Sequence, residues 1–196
     1  MKGKFIAFYG INNIGKSTHA QMLTDRLNQE GHDAVFIKYP VYDLEPTGPY
    51  LNKVLRVDTE QKISEEELQM WFTLNRYQFE PQLKKYLDEG KIVVAEDYTG
   101  TGLAWGSLKG ADLPWLTEMN KYLLKEDLGI LLEGARSLSA KEEDHIHEAD
   151  DELVEKCKRV LDDLGNKYNW GRVEICEKRE DTHEGVWKLV KEFLGS

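Results

Sequence analysis

The chain has 196 residues, enough for one sizeable hydrophobic core, and no Pro/Gly/Ser-rich linker or shift of composition marks a second domain. Its 26 Lys and Arg stand against 36 Asp and Glu, a formal net charge of -10, which argues against a nucleic-acid-binding surface but leaves room for a local basic pocket. No apolar run approaches the ~18 residues of a membrane span, the N-terminal run is too short for a secretory segment, and Cys157 and Cys176 lack metal-ligand spacing, so a cytoplasmic protein with reduced thiols is expected.

Short β-rich runs alternate with longer helical patterns. "KFIAFY" (4–9), "AVFIKY" (34–39), "KIVVAE" (91–96), "LGILLE" (128–133) and "RVEIC" (172–176) read as buried strands. The first helix, 16–30, places Ala20, Leu23 and Leu27 on one face and ends before Gly31. The second, 64–89, opens on a capping box of Ser64 and Glu67, carries Leu68, Trp71, Phe72, Leu83 and Leu87, and is expected to kink or divide at Pro81. A short helix near Asp112 and Pro114 has Leu113, Trp115, Leu116 and Met119 to cover the sheet or to face a second copy. Helices at 150–164 and at 183–194, the latter capped by Thr182, complete the pattern. Strands joined by helix-sized segments give an α/β, three-layer fold, a five-stranded parallel sheet with helices on both faces. Ligands of such sheets bind beyond the carboxyl ends of the strands, here "GINNIGKS", "YPVYD" and "EDYTGTG".

The first of these loops fits G-x-x-x-x-G-K-[ST] through Gly10, Gly15, Lys16 and Ser17, between an apolar strand and an amphipathic helix. Its glycines let backbone N–H groups converge on phosphate, Lys16 adds positive charge over the outer phosphates, and Ser17 can hold Mg²⁺. With Asn12, Asn13 and Thr18 these residues are the candidate ATP site of a P-loop NTPase fold.

Residues 71–106, "WFTLNRYQFEPQLKKYLDEGKIVVAEDYTGTGLAWG", resemble the central block of thymidylate kinases. That block has a Phe and an Asn/Asp-Arg pair on a helix, a helix ending in Gly, a strand, and then Asp-Arg-Tyr followed by Ser and Ala-Tyr. "FIAFYGINNIGKST", "KYP", "EDLGILLEG" and "HEADDELVEKCKRVLDDL" extend the resemblance over nearly the whole chain. It implies that Phe72 stacks on the acceptor base and that Arg76 bonds the base or its phosphate. It also implies that Tyr98, Thr101 and Trp105 surround the acceptor, that 134–148 is a lid, and that the protein is a homodimer. A ring and a guanidinium one helical turn apart suit a planar base, although apolar residues at this spacing are more often core.

The departures concern charge. The family's Glu before the P-loop glycine is Tyr9, its loop Asp is Asn12, the loop Arg of one branch is Asn13, and the phosphate-binding Arg after Phe-Pro aligns with Tyr42. Asp-Arg-Tyr has become Glu96-Asp97-Tyr98, and Arg136 and Lys141 are the only basic residues within the lid 134–148, where His145 and His147 lie in a solvated acidic stretch. An arginine on a transferring phosphoryl group is worth ~10³-fold or more. At an effective dielectric of ~20, like charges ~4 Å apart repel by roughly 4 kcal/mol, so Asp97 opposes a monophosphate unless Mg²⁺ or a lysine intervenes. Glu96 or Asp97 then reads as a general base for a hydroxyl acceptor, and Glu96 equally as a metal ligand beside Ser17.

Three functions follow. The first transfers the γ-phosphoryl group of ATP·Mg²⁺ to a pyrimidine deoxynucleoside monophosphate, dTMP, with Lys16 and Arg76 as its main cationic groups. The second phosphorylates a nucleoside or other hydroxyl through Asp97 or Glu96. The third is a weakly catalytic nucleotide-binding sensor or partner protein.

Overall fold

Five strands form one parallel sheet: β1 (Lys4–Tyr9), β2 (Ala34–Lys38), β3 (Ile92–Glu96), β4 (Leu128–Glu133) and β5 (Gly171–Glu174), in the order β2-β3-β1-β4-β5. The computed structural model describes residues 3–56, 63–135 and 151–195. β1 is buried at every position after Lys4 and β3 throughout, as apolar runs require in a sheet covered on both faces, with Glu96 the buried charged residue at the end of β3.

The cover comes from α1 (Lys16–Gln29), α2 (Thr47–Arg56), α3 (Glu65–Asp88), α4 (Thr99–Leu108), α5 (Leu113–Asn120), α6 (Asp151–Tyr168) and α7 (Arg179–Leu194). α1 packs on β1, β2 and β3 and against α7, while α3 packs on β3, α6 on β4, and α4 against both α3 and α6. α1 buries Ala20, Leu23 and Leu27 and gives way to Gly31 at φ 88, a left-handed residue just past the helix end. Ser64 caps α3 by accepting a hydrogen bond from the Glu67 amide, and the helix runs unbroken through Pro81. Asp112 caps α5 through the Trp115 amide. Leu116 is buried, with Leu113, Trp115 and Met119 packed against the core, so the apolar face of α5 turns inward rather than toward a partner.

Elsewhere the boundaries move for physical reasons. β5 ends at Glu174, before Ile175 and Cys176, and α7 starts at Arg179 with Lys178 at its N-cap. Thr182 is therefore a helical residue, and its hydroxyl accepts from the Cys176 amide at 2.8 Å, tying the β5–α7 loop to the helix. α4 is hidden in the sequence by its glycines. A Cβ on Gly100 would lie 2.5 Å from Trp170 Cη2, and one on Gly102 2.9 Å from Arg76 Nη2. The glycines thus answer to neighbours that approach the helix backbone, and packing overrides their weak helix propensity.

Tyr9, where the family places Glu, belongs to the interior. It stacks on Trp170 with ring centroids 3.9 Å apart, and both residues donate to Glu126 Oε1. Burial, with Glu126 adding to it, raises the Tyr9 phenol well above its ordinary pKa. Cys157 is buried on α6 and its thiol is pushed up to about 12, whereas Cys176 is exposed.

Candidate active site

Strand order changes direction at β1, which lies between β3 and β4, so the crevice beyond the carboxyl ends of β1 and β3 is the expected ligand site. Phe8 is in register with Glu96, and the Asp97 amide donates to Phe8 O at 3.2 Å. The loop after β1 and the carboxylates after β3 therefore emerge side by side.

The β1–α1 loop turns through Gly10 at φ 145, Asn13 at φ 61 and Gly15 at φ 101. Asn tolerates the left-handed region better than most side chains, so Asn13 fits where it stands. Lys16, 5% exposed, donates to Gly10 O at 3.0 Å and Ile11 O at 2.9 Å, and its ammonium lies 3.7 Å from Asp97 Oδ1. Asp97, at φ 57, also accepts from Thr101 Oγ1 at 2.8 Å. Ser17 Oγ donates to Glu96 Oε1 at 2.6 Å, and Lys38 Nζ is 3.3 Å from the same oxygen. Glu96 Oε2 is buried without a hydrogen-bond partner among the described residues. A hydroxyl beside a carboxylate with one unsatisfied oxygen is a hard-oxygen pair of the kind that suits a small divalent cation.

A cavity of about 840 Å³ joins this end of the sheet to α3 and α4. Asn12, Asn13, Gly15, Lys16, Ser17 and Thr18 line one end; Tyr42, Phe72, Arg76, Thr101 and Trp105 line the other, with Glu96 and Asp97 between. Arg76 is 5% exposed, donates to Asn120 Oδ1 at 3.2 Å, leaves Nε without a hydrogen-bond partner and makes no ion pair among the described residues. Its pKa is lowered chiefly by loss of water. A buried guanidinium with an unmade bond is costly, so it is suited to a ligand that supplies the missing acceptor. Phe72 is half-buried and lines the same space. Asn75 bonds the Val41 N–H and C=O and the Thr47 hydroxyl, fixing the β2–α2 loop that carries Tyr42.

The sequence model of the family described as thymidylate kinase matches residues 8–186. The chain belongs to the thymidylate kinase family. A probable thymidylate kinase of Pyrococcus horikoshii is 30% identical over 100% of both chains. The thymidylate kinase of Homo sapiens is 26% identical, covering 98% of this chain and 92% of its own. The fold is likewise that of the Candida albicans thymidylate kinase structure, with a TM-score of 0.81 at 22% identity over 97% of this chain and 92% of that one. The protein is an ATP-dependent nucleotide kinase.

Within this family frame several sequence-read residues change place. Tyr98 does not line the cavity. It is 1% exposed, meets Phe5 edge-on at 5.0 Å and donates to Leu124 O at 2.9 Å, so it supports the strand end from inside the core. Gly10 also lies off the cavity wall and acts through its carbonyl on Lys16. His19, in the first turn of α1, is buried beside His183 with Nδ1 lacking a hydrogen-bond partner among the described residues, and burial pushes it down to about 4. Arg136, Lys141, His145 and His147 lie outside the described residues. Asp97 is not a bare carboxylate facing the acceptor, because Lys16 and Thr101 engage it. Sequence reading missed Lys38, Gln69 and Lys109 in the cavity wall. The available signal for Lys38 was its place at the carboxyl end of β2.

Proposed function

We propose that the protein transfers the γ-phosphoryl group of ATP to dTMP, giving ADP and dTDP. The observation that supports this most is the buried Arg76, free of ion pairs among the described residues and set with Phe72 in the same cavity as the P-loop. Phe72 offers a ring face to the thymine base, and Arg76 offers donors to its edge or to the phosphate. The loop N–H groups and Lys16 stabilise charge on the γ-phosphoryl oxygens as the bond to the β–γ bridging oxygen breaks and the acceptor oxygen bonds phosphorus. Mg²⁺, when bound, neutralises phosphate charge, and Ser17 and Glu96 are the residues that would hold it.

The hydroxyl-acceptor reading rested on an uncompensated Asp97. With Lys16 at 3.7 Å and the Thr101 hydroxyl at 2.8 Å, that carboxylate no longer dictates a neutral acceptor. Glu96 Oε1 already accepts from Ser17 and faces Lys38, which favours a ligand role over a base role. A homodimer belongs to the same proposal. Met70 and Leu74, 48% and 49% exposed and one turn apart on α3, are apolar surface that a second copy would cover, and sedimentation of the purified chain tests it. The reaction itself is tested by separating the nucleotides after incubation of the protein with ATP, Mg²⁺ and dTMP. Equal amounts of ADP and dTDP are expected, and ADP without dTDP refutes the assignment.

A further inference from the structure

Two carboxylates and two ammonium groups meet at the junction of the donor and acceptor ends. Lys16 faces Asp97 at 3.7 Å, and Lys38 faces Glu96 at 3.3 Å. The pairs differ in how firmly the lysine is held. Lys16 is buried and makes two further bonds to loop carbonyls, whereas Lys38 is half-exposed, with a side chain 52% accessible. Besides Glu96, the Lys38 ammonium reaches the Ser17 hydroxyl, to which it donates at 3.4 Å. It therefore touches both oxygen-bearing groups that suit a divalent ion.

We propose that Lys38 is a movable cation of the transfer site: it neutralises Glu96 in the metal-free protein, yields that place to the divalent ion, and then supplies the acceptor phosphate with positive charge. The physical reasons are direct. A divalent ion at Ser17 and Glu96 repels an ammonium group at the same oxygen, and a lysine on a flexible four-carbon stem is free to turn away. Lys38 lines the cavity that also holds Tyr42, Phe72 and Arg76, so the turn toward the acceptor stays within one continuous space. That space lacks a guanidinium at residue 97, where Asp97 stands. An incoming monophosphate and the freed lysine have opposite charge, and a charge-assisted hydrogen bond between them is among the stronger ones available.

The second half of this inference rests on dTMP being the acceptor, and the first half does not. The test uses the full chain with Lys38→Met and Lys38→Arg, and Mn²⁺ as the probe ion. The Mn²⁺ affinity of the ADP-loaded protein is read from the free-Mn²⁺ electron paramagnetic resonance signal, without acceptor. Lys38→Met is expected to tighten Mn²⁺ binding about 3-fold, because a competing ammonium is gone, and to raise the KM for dTMP about 10-fold. Lys38→Arg keeps the positive charge and is expected to stay within about 2-fold of wild type in both. Unchanged or weaker Mn²⁺ binding in Lys38→Met overturns the displacement, and an unchanged KM for dTMP overturns the role toward the acceptor. Absence of dTMP turnover in the wild type would instead refute the proposed function, while the Mn²⁺ result would still decide whether Lys38 competes with the metal.

Discussion

The two ends of the cavity, proposed above to take the donor and the acceptor, are built in different ways. The donor end is local: Asn12 to Thr18 form one loop and the first turn of α1, and the Lys16 ammonium bonds carbonyls five and six residues back. The acceptor end is assembled from afar. Arg76 on α3 reaches Asn120 at the end of α5, passes over Gly102 of α4, and lies beside a loop fixed by Asn75. A site contained in one loop is set by local backbone geometry, while one built from three helices depends on packing at each joint. The donor end is thus expected to fail through loss of its own groups, and the acceptor end through small shifts in its supports.

The largest effect expected is on the donor side. Lys16→Ala should lower kcat by about 10³-fold or more with any acceptor, since it removes the cation proposed to stabilise the γ-phosphoryl oxygens. Turnover within about 10-fold of wild type would break the assignment of the loop. The acceptor side is probed by Gly102→Ala, which favours helix formation yet brings a Cβ to 2.9 Å from Arg76 Nη2. The KM for dTMP should rise about 10-fold while that for ATP holds. Equal changes in both constants would mean that the two ends are not separable.

Asp97 stands between the ends, and Asp97→Asn sharpens the contrast. Asn keeps an acceptor for the Thr101 hydroxyl and tolerates φ 57, so the substitution removes charge with little change of shape. The KM for dTMP should fall about 3-fold; a fall in kcat with KM unchanged would place Asp97 with Lys16 on the donor side alone.

The smallest effect concerns the base of α1. His19 has a folded pKa of about 4, below the ordinary value of 6.5, because burial disfavours its charged form, with His183 and Arg179 adding to the effect. The unfolded chain therefore takes up the proton first as pH falls. Its contribution is full above about pH 6.5 and is lost as pH falls toward 4. His19→Gln should lose about 2–4 °C less in Tm than wild type between pH 7 and pH 5, by scanning calorimetry. Parallel losses in the two proteins would remove His19 from the account.

How much of this was legible in the sequence follows the same division. Gly10, Gly15, Lys16 and Ser17 announce themselves because the chemistry of a phosphate loop needs those residue types within eight positions. The parallel sheet was equally plain, since a buried strand such as "IVVAE" is apolar up to the Glu96 at its carboxyl end. α4 was not, because Gly100 and Gly102 lower helix propensity and the contacts that reward them come from Trp170 and Arg76, far along the chain. Arg76 and Phe72 were found through the family resemblance; spacing alone would have left Phe72 in the core. The same resemblance set Tyr98 beside the acceptor, whereas its side chain turns into the core and its hydroxyl partner, Leu124 O, lies in a loop 26 residues away. Likewise the neutralisation of Asp97 by Lys16 joins residues 81 positions apart, so no local pattern could reveal it.

The most direct test compares kcat/KM for dTMP and for thymidine under identical ATP and Mg²⁺, with ADP release measured against a control without acceptor. Saturable, dTMP-dependent ADP release at least about 10²-fold more efficient than with thymidine is expected, because Arg76 and Lys38 both favour an anionic acceptor. Equal or greater efficiency with thymidine, or ADP release that ignores both acceptors, would contradict the proposed function.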